Sequence, residues 1–212
     1  TTRGVGDSTA ELQAVDGRRV NAVDISNGPN AGYGTYVGTI RTNSSSKVDW
    51  IYGTVAAGGG AAIFGLWNAY NRVDVRTMIG DSTDTWTLAS TSTRPANNST
   101  SMRASFICGL EEDAATARYM CSHANDTNGG QIAVGVALSD TSGFDGSIGW
   151  IAWSTGSAND VRQSSGEYGA TVLGWGYFQA MEAVRGAGTG TFRGDASVPS
   201  ACQNGLHFNF RA

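Results

Sequence analysis

The sequence predicts an all-β domain, an antiparallel, jelly-roll-like sandwich of many short strands joined by glycine-rich turns. Three observations lead there. Large apolar residues alternate with polar or small ones in segment after segment, the period of a strand with one buried face. Glycine supplies 30 of 212 residues, and charged residues only 15%, against ~25% in an average domain. Clusters of Gly, Asn, Asp and Ser recur roughly every ten to twenty residues, as turns do in sandwiches and barrels.

The elements follow in chain order. Residues 1–15 are poor in large apolar groups and read as an N-terminal arm or linker, and 16–212 as a single sandwich domain. Strands are expected over Val20–Ile25, Tyr33–Arg41 and Lys47–Val55, separated by turns at Asn27–Asn30 and Thr42–Ser46. In Arg72–Arg76 an apolar pair points inward and three charges outward, and Thr85–Ala89 is a further strand. Met102, Ala104, Phe106 and Cys108 share a face. Glu111–Ser122 has helix-like content but directly follows Gly109-Leu110; Leu110–Thr116 therefore reads as a hairpin loop or single helical turn, with a strand over Ala117–Ser122. Ile132, Val134, Val136 and Leu138 take one face of the next strand, Ala133, Gly135 and Ala137 the other. Ser147–Trp153 and Ala170–Val184 are strands, the latter with helix-like composition after Tyr177. Leu206, Phe208 and Phe210 alternate with His207, Asn209 and Arg211 at the end of the chain.

Charge and motifs narrow the function classes. Net charge is −4, with one lysine, Lys47, and Arg18-Arg19 as the longest basic run. Neutralising phosphates takes a basic stripe, so nucleic acid is not an expected partner. No segment has the ~18 consecutive apolar residues of a membrane span, and residues 1–30 lack a signal-peptide pattern. The opening Thr1-Thr2-Arg3 has no methionine, as in a processed product or a piece of something longer. Cys108, Cys121 and Cys202 form no CxxC and suit reduced thiols in a cytoplasm; Cys108 and Cys121 face each other only if a turn centres near Ala114-Ala115.

His123 and His207 have no partner at ligand spacing, and neither HExxH nor GxSxG occurs. Gly58-Gly59-Gly60 lacks the Lys-Ser/Thr of a phosphate loop. Hence no catalytic residue, metal or cofactor is assigned. The acidic turns at Asp126–Gly129 and Asp140–Gly146 do not follow the EF-hand order. Paired carboxylates for glycoside cleavage would be sought first among Asp49, Asp74 and Glu182, which lie inside apolar strands; the simpler reading places each on a wet face or beside an arginine.

Six tryptophans offer ring faces for a sugar or for another subunit. Trp175 and Tyr177 share a strand face, and with Trp153 they are the candidate carbohydrate-binding residues. Trp150 and Trp153 point to opposite faces, so one of them leaves the core, enters a second one or meets a partner.

Specific words add a resemblance. Val37–Ser46 (VGTIRTNSSS), Trp67–Val75 (WNAYNRVDV), Gly80–Trp86 (GDSTDTW) and the ending Asn204–Ala212 (NGLHFNFRA) resemble phage and prophage virion proteins of the tail-fibre, head-fibre or spike-like type, in patches over residues 15–212. The resemblance implies a β-rich homotrimer on the virion surface, assembled in the bacterial cytoplasm beside other virion proteins, decorating the capsid or binding host glycans. None of the words is catalytic. The resulting expectation is a non-enzymatic virion structural protein whose extra buried face is covered by another copy; a carbohydrate-binding adhesin and a polysaccharide depolymerase are the alternatives.

Overall fold

The computed structural model describes residues 12–54, 60–81, 83–112, 114–154, 160–194 and 204–212. These form an all-β sandwich. Strands are numbered in chain order. The first large sheet runs β13 (Asp145–Ala152), β12 (Gln131–Leu138), β15 (Gly174–Arg185), β10 (Arg103–Cys108), β5 (Ala62–Phe64) and β4 (Trp50–Ile51), with β9 (Arg94–Pro95) also on β15. The second runs β7 (Asp74–Ile79), β17 (Gly205–Arg211), β11 (Ala114–Asn125), β16 (Gly190–Arg193) and β8 (Thr85–Leu88), with β14 (Arg162–Thr171) along the other side of β11. Two small ribbons complete it: β1 (Leu12–Val15) with β2 (Arg18–Asn21), and β3 (Gly38–Ile40) with β6 (Leu66–Asn68).

Alternation drives the packing. Even-numbered β15 residues Phe178, Ala180, Glu182 and Val184 point between the sheets with Ile132, Val134 and Val136 of β12. Opposite them stand Ala117, Tyr119 and Cys121 of β11 and Leu206, Phe208 and Phe210 of β17. The sheets meet in an aromatic cluster: Phe106 lies 5.1 Å from Phe208 and 5.7 Å from Phe178, and Phe64 lies 5.5 Å from Phe210, centroid to centroid. Ring pairs at these separations add to the area they bury.

Where β14 crosses β12 and β13 the backbones themselves touch. A Cβ on Gly166 would sit 2.4 Å from the Ser147 carbonyl oxygen and 2.7 Å from that of Val134, and one on Gly149 would sit 2.5 Å from that of Ser165. Only glycine allows this approach.

Several expectations change. The strand expected over Ala117–Ser122 is longer, β11 beginning at Ala114 after a turn over 109–112, and the strand expected over Ala170–Val184 is divided between the end of β14 at Thr171 and β15, which is continuous from Gly174 to Arg185. Their inward residues find apolar partners across the sandwich, and that tertiary gain overrides weak helix propensity. The sheets are antiparallel except for β5 and β10, which run parallel (Ala62↔Ala104, Phe64↔Phe106) because the chain visits the second sheet between them. The β1–β2 hairpin, turned by Asp16 and Gly17 at φ 47° and 75°, straddles the boundary expected after residue 15. Cys121 is a buried free thiol, so it forms no disulfide with Cys108, itself buried on β10; Cys202 lies outside the described residues.

The outer face of the first sheet is covered by the chain's own loops around Gly135 and Gln179. Phe144 lies over Gly135, where an added Cβ would meet its ring at 2.8 Å. The Gln179 amide is held beneath the 99–102 segment by donating to the Ser99 and Met102 carbonyls.

Candidate functional site

Three places on this frame carry unusual side chains. The first is the outer face of the first sheet, where Trp175 and Tyr177 project from β15 beside Ile107 and Ser105 of β10. Each ring has a guanidinium stacked on it: Arg41 lies 3.7 Å from the Trp175 centroid and Arg103 3.9 Å from that of Tyr177. Arg103 is steered there by donating Nε–H to Gln179 at 3.0 Å. Beside Trp175 is a hollow of about 240 Å³ lined by Arg41, Asn43, Asp49 and Ile63. The Asn43 side chain caps its own turn, accepting from Ser45 and Lys47 N–H and donating to Asp49 at 3.0 Å. An aromatic ring with fixed amide, carboxylate and guanidinium groups is chemistry suited to a sugar ring, although stacking on the Arg41 side requires the guanidinium to move.

Trp153 does not belong to this face. It is 1% exposed, packed edge-on against His123 with centroids 5.4 Å apart, and its indole N–H donates to the Asp160 carbonyl. Its parity with Trp150 resolves as the spacing requires: Trp153 is interior, whereas Trp150 is 56% exposed.

The second place is the pair of outermost strands of the first sheet. On β13, Ile148 and Trp150 form an outward apolar row. At the opposite edge, Trp50, Ile51 and Tyr52 are exposed, the two aromatic rings leaning edge-on against Phe64 and Ile51 pointing to the other face. Ile40 and Leu66, directly paired between β3 and β6, extend the apolar surface of this end.

The third place is internal. Glu182 is fully buried between the sheets. Its Oε1 accepts from Arg94 Nε at 2.8 Å and its Oε2 from Trp86 Nε1 at 2.8 Å, so the carboxylate ties β15 to β8 and β9. Burial pushes its pKa up to about 7, with Trp86 and Arg94 acting in the opposite direction. Close by, burial pushes the Cys121 thiol up to about 12. His123 is also buried; Ser164 Oγ lies 2.6 Å from its Nε2, and desolvation, with the charge of Arg162 second, lowers its pKa to about 4.

The three strand carboxylates do not converge. Asp49 lines the Trp175 hollow, Asp74 lies on the outer face of the second sheet, and Glu182 is between the sheets. The sequence points to a wet face or a neighbouring arginine for Glu182. Its partner is Arg94, 88 positions away, and no local pattern marks that contact. Compared with known families and curated proteins, the chain matches no family model and no curated sequence.

Proposed function

We propose that this chain is a non-enzymatic structural protein of a phage particle, a head or tail appendage that assembles as a closed homo-oligomer, a trimer, and contributes to particle assembly or host attachment. One observation carries the reading: the two opposite edges of a single sheet both expose large apolar side chains, Ile148 and Trp150 on β13 and Trp50, Ile51 and Tyr52 at β4. Monomeric proteins blunt such edges with charge, proline or a covering loop. The two edges differ, so contact between them joins copies head to tail, and such contacts close into a ring when the rotation permits. Covering the exposed parts of these side chains contributes on the order of 5 kcal/mol per contact. The resemblance drawn from the sequence words and the free thiol of Cys121, suited to assembly in a reducing cytoplasm, are compatible with it. Light scattering at micromolar concentration, together with mass spectrometry of purified particles, tests the reading. A trimer found in particles is expected; a stable monomer missing from particles contradicts it.

A second reading, a carbohydrate-binding adhesin, is favoured by the Trp175 hollow with Arg41, Asn43 and Asp49 around it. A glycan array with the intact chain and with Trp175→Ala tests it: binding lost in the variant supports it, and no binding or unchanged binding removes it.

A further inference from the structure

The outer face of the second sheet has a feature that neither reading uses. Strand register sets its side chains in rows running across four strands. One row is Arg76 (β7), Asn209 (β17), Thr116 (β11) and Gly169 (β14); the next is Met78, His207, Arg118 and Glu167. These rows floor a groove of about 700 Å³ on the β11–β14 side, continuous through Thr116 and Asn209 with a second hollow of about 520 Å³ reaching Asp74 and Arg211. Gly169 presents no side chain, which keeps one end of the floor open.

The polar groups here are not spent on one another. Arg118 and Glu167 face each other across the β11–β14 ladder, yet Arg118 donates to Ser165 Oγ at 3.1 Å. Among the described residues, the side chains of Arg76, Asn209, Thr116 and Glu167 have no hydrogen-bond or ion-pair partner. His207 is half-buried on the floor, and desolvation, with Arg118 second, lowers its pKa; its neutral ring offers one donor and one acceptor. Three guanidiniums (Arg76, Arg118, Arg211) stand against two carboxylates (Asp74, Glu167), a local positive excess in a chain of net charge −4.

From these observations we infer that the groove binds an acidic oligosaccharide, its carboxylates on the arginines and its hydroxyls on Asn209, Thr116, His207 and Glu167. Charge complementarity and the amide, hydroxyl and imidazole groups on the floor select this occupant, while Met120 and Tyr168 offer apolar surface for a sugar ring. A hydroxyl-rich chain can satisfy the amide, hydroxyl and imidazole groups together and rest its ring faces on the apolar surface between them. Arg76 and Arg118 are two strands and one row apart, about 12 Å from strand spacing and rise, so two carboxylates at that separation can be held at once, each by a planar guanidinium fork.

The test is calorimetry on the intact chain with a panel of uronate- and sialate-bearing oligosaccharides, each beside its methyl ester, and with poly-glutamate as an acidic polymer without sugar. At least one acid is expected to bind, its ester at least tenfold more weakly, and Arg76→Ala and Arg118→Ala each to lower affinity tenfold or more at unchanged melting temperature. Arg185→Ala, at the exposed end of β15 on the first sheet, is expected to leave it unchanged. No binding by any acid, esters binding as well as acids, equal binding of poly-glutamate, or full binding by the Arg76→Ala/Arg118→Ala double variant would overturn the inference. Light scattering on the same samples keeps the outcome separate from the assembly proposal.

Discussion

Replacing Glu182 by glutamine removes a carboxylate held fully inside the sandwich, and the effect on stability depends on pH in a defined direction. In the unfolded chain this group has the ordinary value near 4.5, and in the fold about 7, raised by burial against the opposing help of Trp86 and Arg94. A raised carboxylate pKa means that the fold prefers the protonated form. Its contribution is therefore fullest below about 4.5, declines as pH rises toward 7, and is gone above that. The gap between the two values corresponds to about 3 kcal/mol. Urea unfolding at fixed protein concentration, followed by tryptophan fluorescence from pH 4.5 to 8, is expected to show the stability of the parent chain falling relative to Glu182→Gln by about that amount. The surface carboxylates act oppositely: Glu112, Asp126 and Asp140 are held below their ordinary values by hydrogen bonds, so their contribution is lost only as pH falls through that lower range. Equal pH dependence in both chains, or a parent chain that gains relative stability as pH rises, would show that Arg94 overcomes burial and would refute the reasoning.

Other outcomes follow from the same packing. Gly166→Ala drives a methyl into the Ser147 and Val134 carbonyls and is expected to destabilise by about 1–3 kcal/mol or more, whereas Gly169→Ala, whose nearest neighbour among the described residues would be the Thr116 methyl at 3.0 Å, is expected to lower the melting temperature far less. Trp153→Ala empties a fully packed site and is expected to lower unfolding free energy by about 3–5 kcal/mol; a loss below 1 kcal/mol, measured in urea, would contradict its burial. Cys121, buried and with its thiol pushed up to about 12, is expected to resist alkylation at pH 8 until urea unfolds the chain. Peptide mapping after iodoacetamide reads this, and rapid labelling of the folded chain would contradict it.

The sequence disclosed those parts of the fold that a period of two can encode. β12, β10 and β17 bury the residues their alternation assigns to the core, Ile132 to Val136 and Leu206 to Phe210 among them, whereas of the inward pair expected in Arg72–Arg76 only Val75 is buried and Val73 is 52% exposed. The odd spacing of Trp150 and Trp153 announced that one ring would leave the core. β14 gave no such signal, because Arg162–Thr171 is nearly all polar or glycine; its place is set by backbone contact at Gly166 and by its ladder with β11. Of the three candidate sugar-binding residues, Trp175 and Tyr177 share an outer face as expected, while Trp153 is turned inward beside His123. Glu182 with Arg94, and the rows joining Arg76 to Gly169 and Met78 to Glu167, depend on which strands become neighbours. That information is non-local, so spacing along one strand does not contain it.

Head-to-tail contact between the two edges of one sheet is measured directly by disulfide trapping. Chains carrying Ile51→Cys and chains carrying Trp150→Cys, mixed and mildly oxidised at micromolar concentration, are expected to yield predominantly the mixed cross-link, with little joining of like variants. Cross-links only between like variants, or a chain that stays monomeric and uncross-linked, would contradict the account.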